Sequence, residues 1–138
     1  MVIRDFRPED VDALVDILRA NQQYGHPDID GPDAMLRVHR CVAAEFLVAE
    51  EEGQVVGMVR GTYDGSRAVI YLASVHPNHP RRGIGRALVL EIARRFRERG
   101  AGSIAVIVPG DVGFWHKLSF RQTVRVMQVF PIDRALEP

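Results

Sequence analysis

A short run of arginines and glycines after mid-chain has the residue types of an anion-binding site. It reads Arg81-Arg82-Gly83-Ile84-Gly85-Arg86 and stands between an apolar run, 69–75, and a stretch with helical periodicity. The first N–H groups of a helix have no intrahelical partner and carry a partial positive charge, and glycine lets a ligand approach them closely. The run therefore predicts a strand, a tight turn and a helix N-terminus that binds a phosphate or pyrophosphate.

Two other phosphate motifs do not fit this sequence. A Walker loop needs Gly-x-x-x-x-Gly-Lys-Ser/Thr, which does not occur here. A Rossmann fingerprint needs a third glycine where this chain has Arg86, and it normally opens the first strand–helix unit of a domain. The alternative interpretation is a helix that packs closely on a sheet and needs small residues at Gly83 and Gly85, with the arginines solvated.

Length and composition predict one globular domain over residues 1–138. The 18 basic and 18 acidic side chains balance, so no nucleic-acid partner is indicated. The single cysteine, Cys41, excludes an internal disulfide and falls in a helix-like stretch, where we expect it to be a small buried residue. The sequence contains no recognisable signal peptide and no apolar span of membrane length, so we expect a cytoplasmic protein without a membrane partner.

The remaining periodicities predict the elements that position this run. Apolar spacing predicts helices over about 8–20, 33–44, 83–99 and 112–118, the last capped by Asp111, and strands over about 2–6, 46–51, 55–63, 67–75, 104–108 and 120–130. Asp64-Gly65 is a strong hairpin signal, and 104–108 has the continuous apolar pattern of a strand buried on both faces. The order predicts an antiparallel meander that feeds a right-handed strand–helix–strand unit.

The run Val75-His76-Pro77 … Arg82-Gly83-Ile84-Gly85-Arg86-Ala87-Leu88 resembles motif A of the GNAT acyl-CoA N-acyltransferase superfamily, Gln/Arg-x-x-Gly-x-Gly/Ala, which binds the pyrophosphate of acetyl-CoA. The segments 46–50, 55–57 and 63–65 are similar to small bacterial YpeA-like members. The resemblance implies an α+β fold, a mixed and mostly antiparallel sheet of about six to seven strands flanked by about four helices. The family's Gln/Arg position falls on Pro80, which has no N–H to donate.

The resemblance also implies an activity. It is an N-acetyltransferase that transfers an acetyl group from acetyl-CoA to a primary amine of a small molecule or protein, by direct attack in a ternary complex and without a metal. The spacing does not predict a metal site, because His76 and His79 have no third ligand nearby in the sequence. The residues implied to contact the coenzyme are Ala73, Val75, Arg81, Arg82, Gly83, Ile84, Gly85, Arg86, Trp115 and Lys117.

Catalytic and acceptor residues follow from the same resemblance. Tyr71 is the candidate base on the strand before motif A, and Ser74 is a second catalytic candidate whose hydroxyl could equally bond the local backbone. Trp115 occupies the family's tyrosine position, and an indole N–H donates a hydrogen bond but cannot deliver a proton. The alternatives are a packing role for Trp115 and plain solvent exposure for Lys117. The acceptor candidates are Tyr63 and Asp64, at the hairpin, and Tyr24, which an ordinary polar loop would equally explain.

Two other functions stay open on the sequence. One is a non-catalytic acyl-CoA-binding or sensor domain, which the residues Pro80 and Trp115 favour weakly. The other is a small domain that binds phosphorylated ligands through the glycine turn alone. The acceptor amine is not indicated, and the final predicted strand could pair with a second copy in a homodimer.

Overall fold

The first 106 residues contain a mixed β-sheet and the helices that pack on it. The computed structural model describes residues 1–79, 83–108, 110 and 112–137, and residues 1–106 and 107–138 are two compact units. The strands lie in chain order across the sheet, each antiparallel to the next except that the last pair is parallel. They are β1 (Val2–Asp5), β2 (Ala44–Glu51), β3 (Gln54–Tyr63), β4 (Ala68–Val75) and β5 (Ile104–Val106).

The helices of the first unit lie between β1 and β2 and between β4 and β5. They are α1 (Val11–Ala20), the single turn α2 (Pro27–Asp30), α3 (Pro32–His39) and α4 (Ile84–Arg99). The second unit contains the short α5 (Gly113–Lys117) and a 3-10 turn, Ile132–Leu136. None of these helices, within the described residues, has the length and apolar content needed to span a bilayer. The α+β class and the mixed sheet are confirmed, with five strands in place of about six to seven.

The sheet buries apolar side chains on both faces. On one face, α1 and α3 cover a cluster made of Phe6, Leu14, Ile17, Leu18, Met35, Phe46, Val48 and Met58. On the other face α4 packs on β3, where a Cβ added to Gly57 would lie 3.1 Å from Leu88 Cδ1 and 3.2 Å from Ile84 Cγ2. Glycine at this position therefore lets α4 lie directly against the sheet.

Ion pairs fasten the C-terminal half of α4 to the first two strands. Arg95 pairs with Asp5 and lies 3.5 Å from Glu45, and Arg99 Nη2 lies 3.1 Å from the same Glu45 carboxylate. Arg99 Nη1 also donates to Val42 O at 2.9 Å. Several arginines of this helix thus hold it on the sheet.

The C-terminal strand prediction is wrong for the described residues. Residues 120–130 form no strand there, and Val124 and Val126 are 73% and 64% exposed. The alternating pattern is present, but a strand also requires a neighbour whose N–H and C=O groups complete the ladder. β5 is also shorter than 104–108, and Ala105 is exposed, because only β4 pairs with it in the part of the chain described. The single domain over 1–138 stays a prediction.

The second predicted helix ends earlier than its pattern indicated. α3 stops at His39, and Cys41 N and Ala44 N donate to Val38 O and Cys41 O in turns that lead into β2. Cys41 is therefore exposed and outside the helix, and the expectation that it is buried is wrong.

Candidate active site

One residue of β4 interrupts its regular pairing. Arg60 and Gly61 are neighbours on β3, whereas their partners Leu72 and Ile70 are separated by Tyr71. Tyr71 is therefore a β-bulge, which bends a strand and increases its twist. The parallel pairing with β5 ends at Ile70, immediately before the bulge. Tyr71 itself is 49% exposed, and this candidate base comes immediately after the last residue that pairs with β5.

Beyond the bulge, alternate backbone N–H and C=O groups of β4 point away from β3. His76 N donates to Val56 O at 2.8 Å, so His76 belongs to the set of residues that bond β3. Backbone groups alternate along a strand, and Ala73 and Val75 therefore direct their N–H and C=O groups away from β3. Among the described residues of the first unit, no strand pairs with this side of Ala73 and Val75, the two positions expected to contact the coenzyme, and we call this side of β4 its open edge.

The glycine run begins α4 as its pattern predicted. Gly83 precedes the helix with φ 70° and ψ 16°, and Ala87 N donates the first helical bond, to Gly83 O at 3.0 Å. The N–H groups of Ile84, Gly85 and Arg86 come before that bond and have no intrahelical acceptor. Apart from its chain neighbours, no atom of the residues that the structure describes lies within 4 Å of a Cβ added to Gly83.

The side chains around this helix start have different environments. Ile84 is 2% exposed and packs inwards, so only its backbone is available to a ligand, whereas Arg86 is exposed. Arg81 and Arg82, together with Pro80, lie outside the described residues, and their coenzyme contacts stay predictions. A Cβ on Gly57 would also lie 3.2 Å from Ser74 O, so β4 and the start of α4 flank the same glycine.

Ser74 is held between two amide side chains. It is 6% exposed, and its Oγ accepts from Asn21 Nδ2 at 2.7 Å and donates to Gln23 Oε1 at 2.5 Å. Asn21 Nδ2 also donates to Val75 O at 2.8 Å, and Gln23 Nε2 lies 3.4 Å from Ala73 O. The hydroxyl thus bonds side chains from the end of α1 rather than its local backbone.

The loop after α1 is fixed to β3 by a buried arginine. Arg60 is 8% exposed, and its Nη2 donates to Ile29 O at 3.1 Å and to Asp30 Oδ1 at 2.5 Å. Tyr24, in the same loop, is half-buried with the Arg19 guanidinium 5.1 Å from its ring centroid. The loop expected to border the acceptor is therefore anchored, and acceptor binding by Tyr24 stays a prediction.

Tyr63 and Asp64 shape the β3–β4 hairpin. Tyr63 donates its hydroxyl to Gly65 O at 3.0 Å, and Asp64 Oδ1 accepts from the N–H groups of Ser66 and Arg67, both at 2.8 Å. The N–H groups of Arg67 and Ser66 hold the pKa of the exposed Asp64 carboxyl below its usual value. Both residues have a turn-forming role, and their contact with an acceptor stays a prediction.

Trp115 and Lys117 lie on α5 in the second unit. The Trp115 ring meets Phe114 and Phe120 edge to face, with centroids 5.1 and 5.3 Å apart. These contacts are the packing role that was the alternative for Trp115, and Lys117 is exposed. Contact of either residue with a coenzyme stays a prediction.

A polar groove of about 530 Å³ lies beside His76, between the start of α1 and the β2–β3 turn. Its buried carboxylate, Asp10, accepts two bonds of 2.9 Å from Arg4. Burial alone would raise the pKa of Asp10, but the bonds from Arg4 and from Arg7 N–H lower it below its ordinary value. Asp10 is therefore ionised at neutral pH. Among the described residues, no group of three or more His, Cys, Asp or Glu side chains could hold a metal ion.

Sequence reasoning missed three residues that organise this region: Asn21, Gln23 and Arg60. Nothing in the local sequence singles out Asn21 and Gln23, because their partners are 50 or more positions away in the chain. Arg60 did carry a signal, since it is a charged residue at an inward position of an apolar strand, with a buried residue on either side.

Comparisons with known proteins agree with this geometry. Residues 11–120 match the family described as Acetyltransferase (GNAT) family. The chain is 31% identical over 140 residues to acetyltransferase SG1711 of Sodalis glossinidius (strain morsitans), an alignment that covers 92% of each chain.

Two solved structures have the same fold. A transcriptional regulator from Bacillus halodurans C-125 superposes with a TM-score of 0.79 at 24% identity, covering 93% of this chain and 97% of that one. The PaiA N-acetyltransferase of Thermoplasma acidophilum, in complex with coenzyme A, superposes with a TM-score of 0.75 at 17% identity over 86% of each chain. The extent of the family match and of the alignment with SG1711 makes this chain a member of the GNAT acetyltransferase family.

Proposed function

We propose that this protein transfers an acetyl group from acetyl-CoA to a primary amine of a small molecule or protein, by direct attack in a ternary complex. The observation that carries the proposal is the position of two features in one unit. The glycine-initiated start of α4 and strand β4, whose outer edge carries Ala73 and Val75, both flank Gly57. The coenzyme A bound to the PaiA relative supports the choice of ligand.

The two features suit different parts of the coenzyme. The pyrophosphate accepts hydrogen bonds from the N–H groups of Ile84, Gly85 and Arg86, where the helix dipole favours negative charge. The pantetheine arm then runs along Ala73 and Val75, whose backbone N–H groups donate hydrogen bonds to it. A backbone N–H of this edge stabilises the oxyanion that forms when the amine attacks the thioester carbonyl.

The attacking amine must lose a proton. An alkyl amine has a pKa of about 10.4, so it is mostly protonated at neutral pH and needs a group or a water route that removes the proton. Tyr71 stands on the bulge and is 49% exposed, so solvent and a bound amine both reach it. We propose that Tyr71 relays this proton: its hydroxyl oxygen receives the proton from the amine while its own hydroxyl proton passes to solvent. The coenzyme thiolate, from a thiol of pKa about 8.5, departs without a dedicated acid.

A non-catalytic acyl-CoA-binding role is the second candidate, and Trp115 favours it. The ring at the family's tyrosine position packs between Phe114 and Phe120 and has no acidic proton to give to a leaving thiolate. Such a sensor would bind the coenzyme without turnover, so the two functions differ in a measurable way.

Two measurements test the proposal. Calorimetric titration with CoA and acetyl-CoA reports binding, and thiol release from acetyl-CoA across a panel of primary amines reports transfer. We expect binding of both ligands and amine-dependent thiol release with formation of the acetylated amine. Binding without release for any amine in the panel would support the sensor role, and absence of binding at millimolar coenzyme would refute both.

A further inference from the structure

Asn21, Gln23 and Ser74 link the end of α1 to β4 through a chain of hydrogen bonds. The donor and the acceptor of each bond in this chain are fixed. Asn21 donates to Ser74 and to Val75 O, Ser74 donates to Gln23, and Gln23 approaches Ala73 O through its N–H group. Reversing the Asn21 amide would place its oxygen against Val75 O, and reversing Gln23 would do the same at Ala73 O. Because only one arrangement gives every donor an acceptor, the side chains fix one another.

The end of α1 is built to present both amides to β4. Gln23 N donates to Leu18 O at 2.8 Å and Gln22 N to Arg19 O at 3.1 Å, which is the Schellman ending of a helix. Gln22 occupies the left-handed position with φ 57°, where glycine is the usual residue. This turn places Asn21 and Gln23, which would diverge on a regular helix, beside the same strand.

The carbonyls that receive these amides belong to the open edge. Ala73 O and Val75 O point away from β3, and the N–H of Val75 lies between them on the same edge. Two anchored carbonyls hold the peptide planes on either side of that N–H in place. The Ser74 hydroxyl is buried, and its proton is committed to Gln23, so it is not presented to a substrate.

We propose that Asn21, Gln23 and Ser74 are positioning residues that hold the β4 edge in the geometry which receives the acetyl thioester. The inference rests on the proposed function, because it requires the thioester to lie along Ala73 and Val75. It differs from a direct catalytic role for Ser74, since the hydroxyl acts through the backbone that it helps to hold.

The test compares neighbouring residues with the same substitution. Gln23→Glu replaces the Nε2 donor by a carboxylate oxygen that faces Ala73 O, whereas Gln22→Glu adds the same charge at an exposed side chain with no part in the network. Asn21→Asp removes the donor to Val75 O in the same way. Thermal melts of all three proteins check that each is folded.

The readout is the ratio of the affinities for acetyl-CoA and CoA, because CoA lacks the acetyl thioester. We expect Gln23→Glu and Asn21→Asp to weaken acetyl-CoA about tenfold more than CoA and to lower kcat by a similar factor, while Gln22→Glu leaves both values unchanged. If the wild type binds both ligands and the ratio is the same in all variants, the network has no positioning role and the proposed function stands. If the wild type binds neither, the proposed function fails and this inference with it.

Discussion

Replacement of Gly83 by alanine isolates the contribution of the α4 start to coenzyme binding. Gly83 has φ 70°, and an added Cβ would meet no atom of the described residues within 4 Å, so the substitution creates no clash with that part of the protein. We expect the methyl group to occupy space that a diphosphate at the helix start would use. A diphosphate that must move away from the N–H groups of Ile84 and Gly85 loses at least one charge-assisted hydrogen bond.

The expected size follows from that bond. A hydrogen bond to a charged group contributes about 2 kcal/mol, and about 1.4 kcal/mol changes a dissociation constant tenfold. Gly83→Ala should therefore weaken CoA and acetyl-CoA alike by about 30-fold. The left-handed backbone also costs about 1 kcal/mol of folding stability for a residue with a Cβ, which lowers Tm by about 4 °C.

Gly53 provides the matched control. It lies in the β2–β3 turn with φ 79°, and a Cβ there would also meet nothing within 4 Å. Gly53→Ala should cost a similar amount of stability and leave CoA binding unchanged in the same calorimetric titration. Equal CoA affinities for the two variants would show that the phosphates bind elsewhere.

Three further predictions concern other parts of the first unit. Gly61→Ala should lose about 3 kcal/mol of stability in denaturant unfolding, because its Cβ would lie 2.3 Å from Val69 O. An unfolding midpoint equal to that of the wild type would contradict the close packing at the bulge. Asp10→Asn should lose about 2 kcal/mol at neutral pH through the bonds to Arg4. Because the pKa of Asp10 is lowered in the folded protein, its contribution is present above the ordinary carboxyl range and is lost as the pH falls through the lowered pKa. The free energy of unfolding of Asp10→Asn should therefore fall less steeply than that of the wild type as the pH is lowered. An equally steep fall would count against the Arg4–Asp10 pair. Tyr71→Phe should lower kcat about 100-fold and leave CoA affinity and Tm unchanged. A variant kcat equal to that of the wild type would exclude Tyr71 from the route by which the amine proton leaves.

The parts of the fold that depend on local sequence were predictable. Gly53, Gly65 and Gly100 all have positive φ, and each marks the turn or helix end that the sequence indicated there. The long helix after Gly83 was predicted within a residue of its bounds, because its apolar stripe and its terminal glycines agree. Motif and periodicity together therefore located the helix start that the proposed coenzyme site uses.

The parts that depend on distant residues were not predictable. Nothing in the apolar run 69–72 indicates that Tyr71 is the extra residue, because a bulge is defined by the register of two strands. The bonds from Asn21 and Gln23 to β4 cross more than 50 residues of chain, so no local pattern announces them. The residues around Val124 and Val126 show the converse. Their alternating pattern predicts a strand, but no neighbouring strand pairs with them in the described residues.

The bulge at Tyr71 has a consequence for how such a bend arises. The pairs on both sides of it, Ile70 with Gly61 and Leu72 with Arg60, are the pairs that a strand without Tyr71 would make. A single inserted codon is therefore enough to bend the strand next to the last residue that pairs with β5, while the pairs with β3 on both sides are preserved. A bend at the end of the pairing with β5 is thereby available to a regular sheet through one small genetic step, and the reverse step would restore the straight strand.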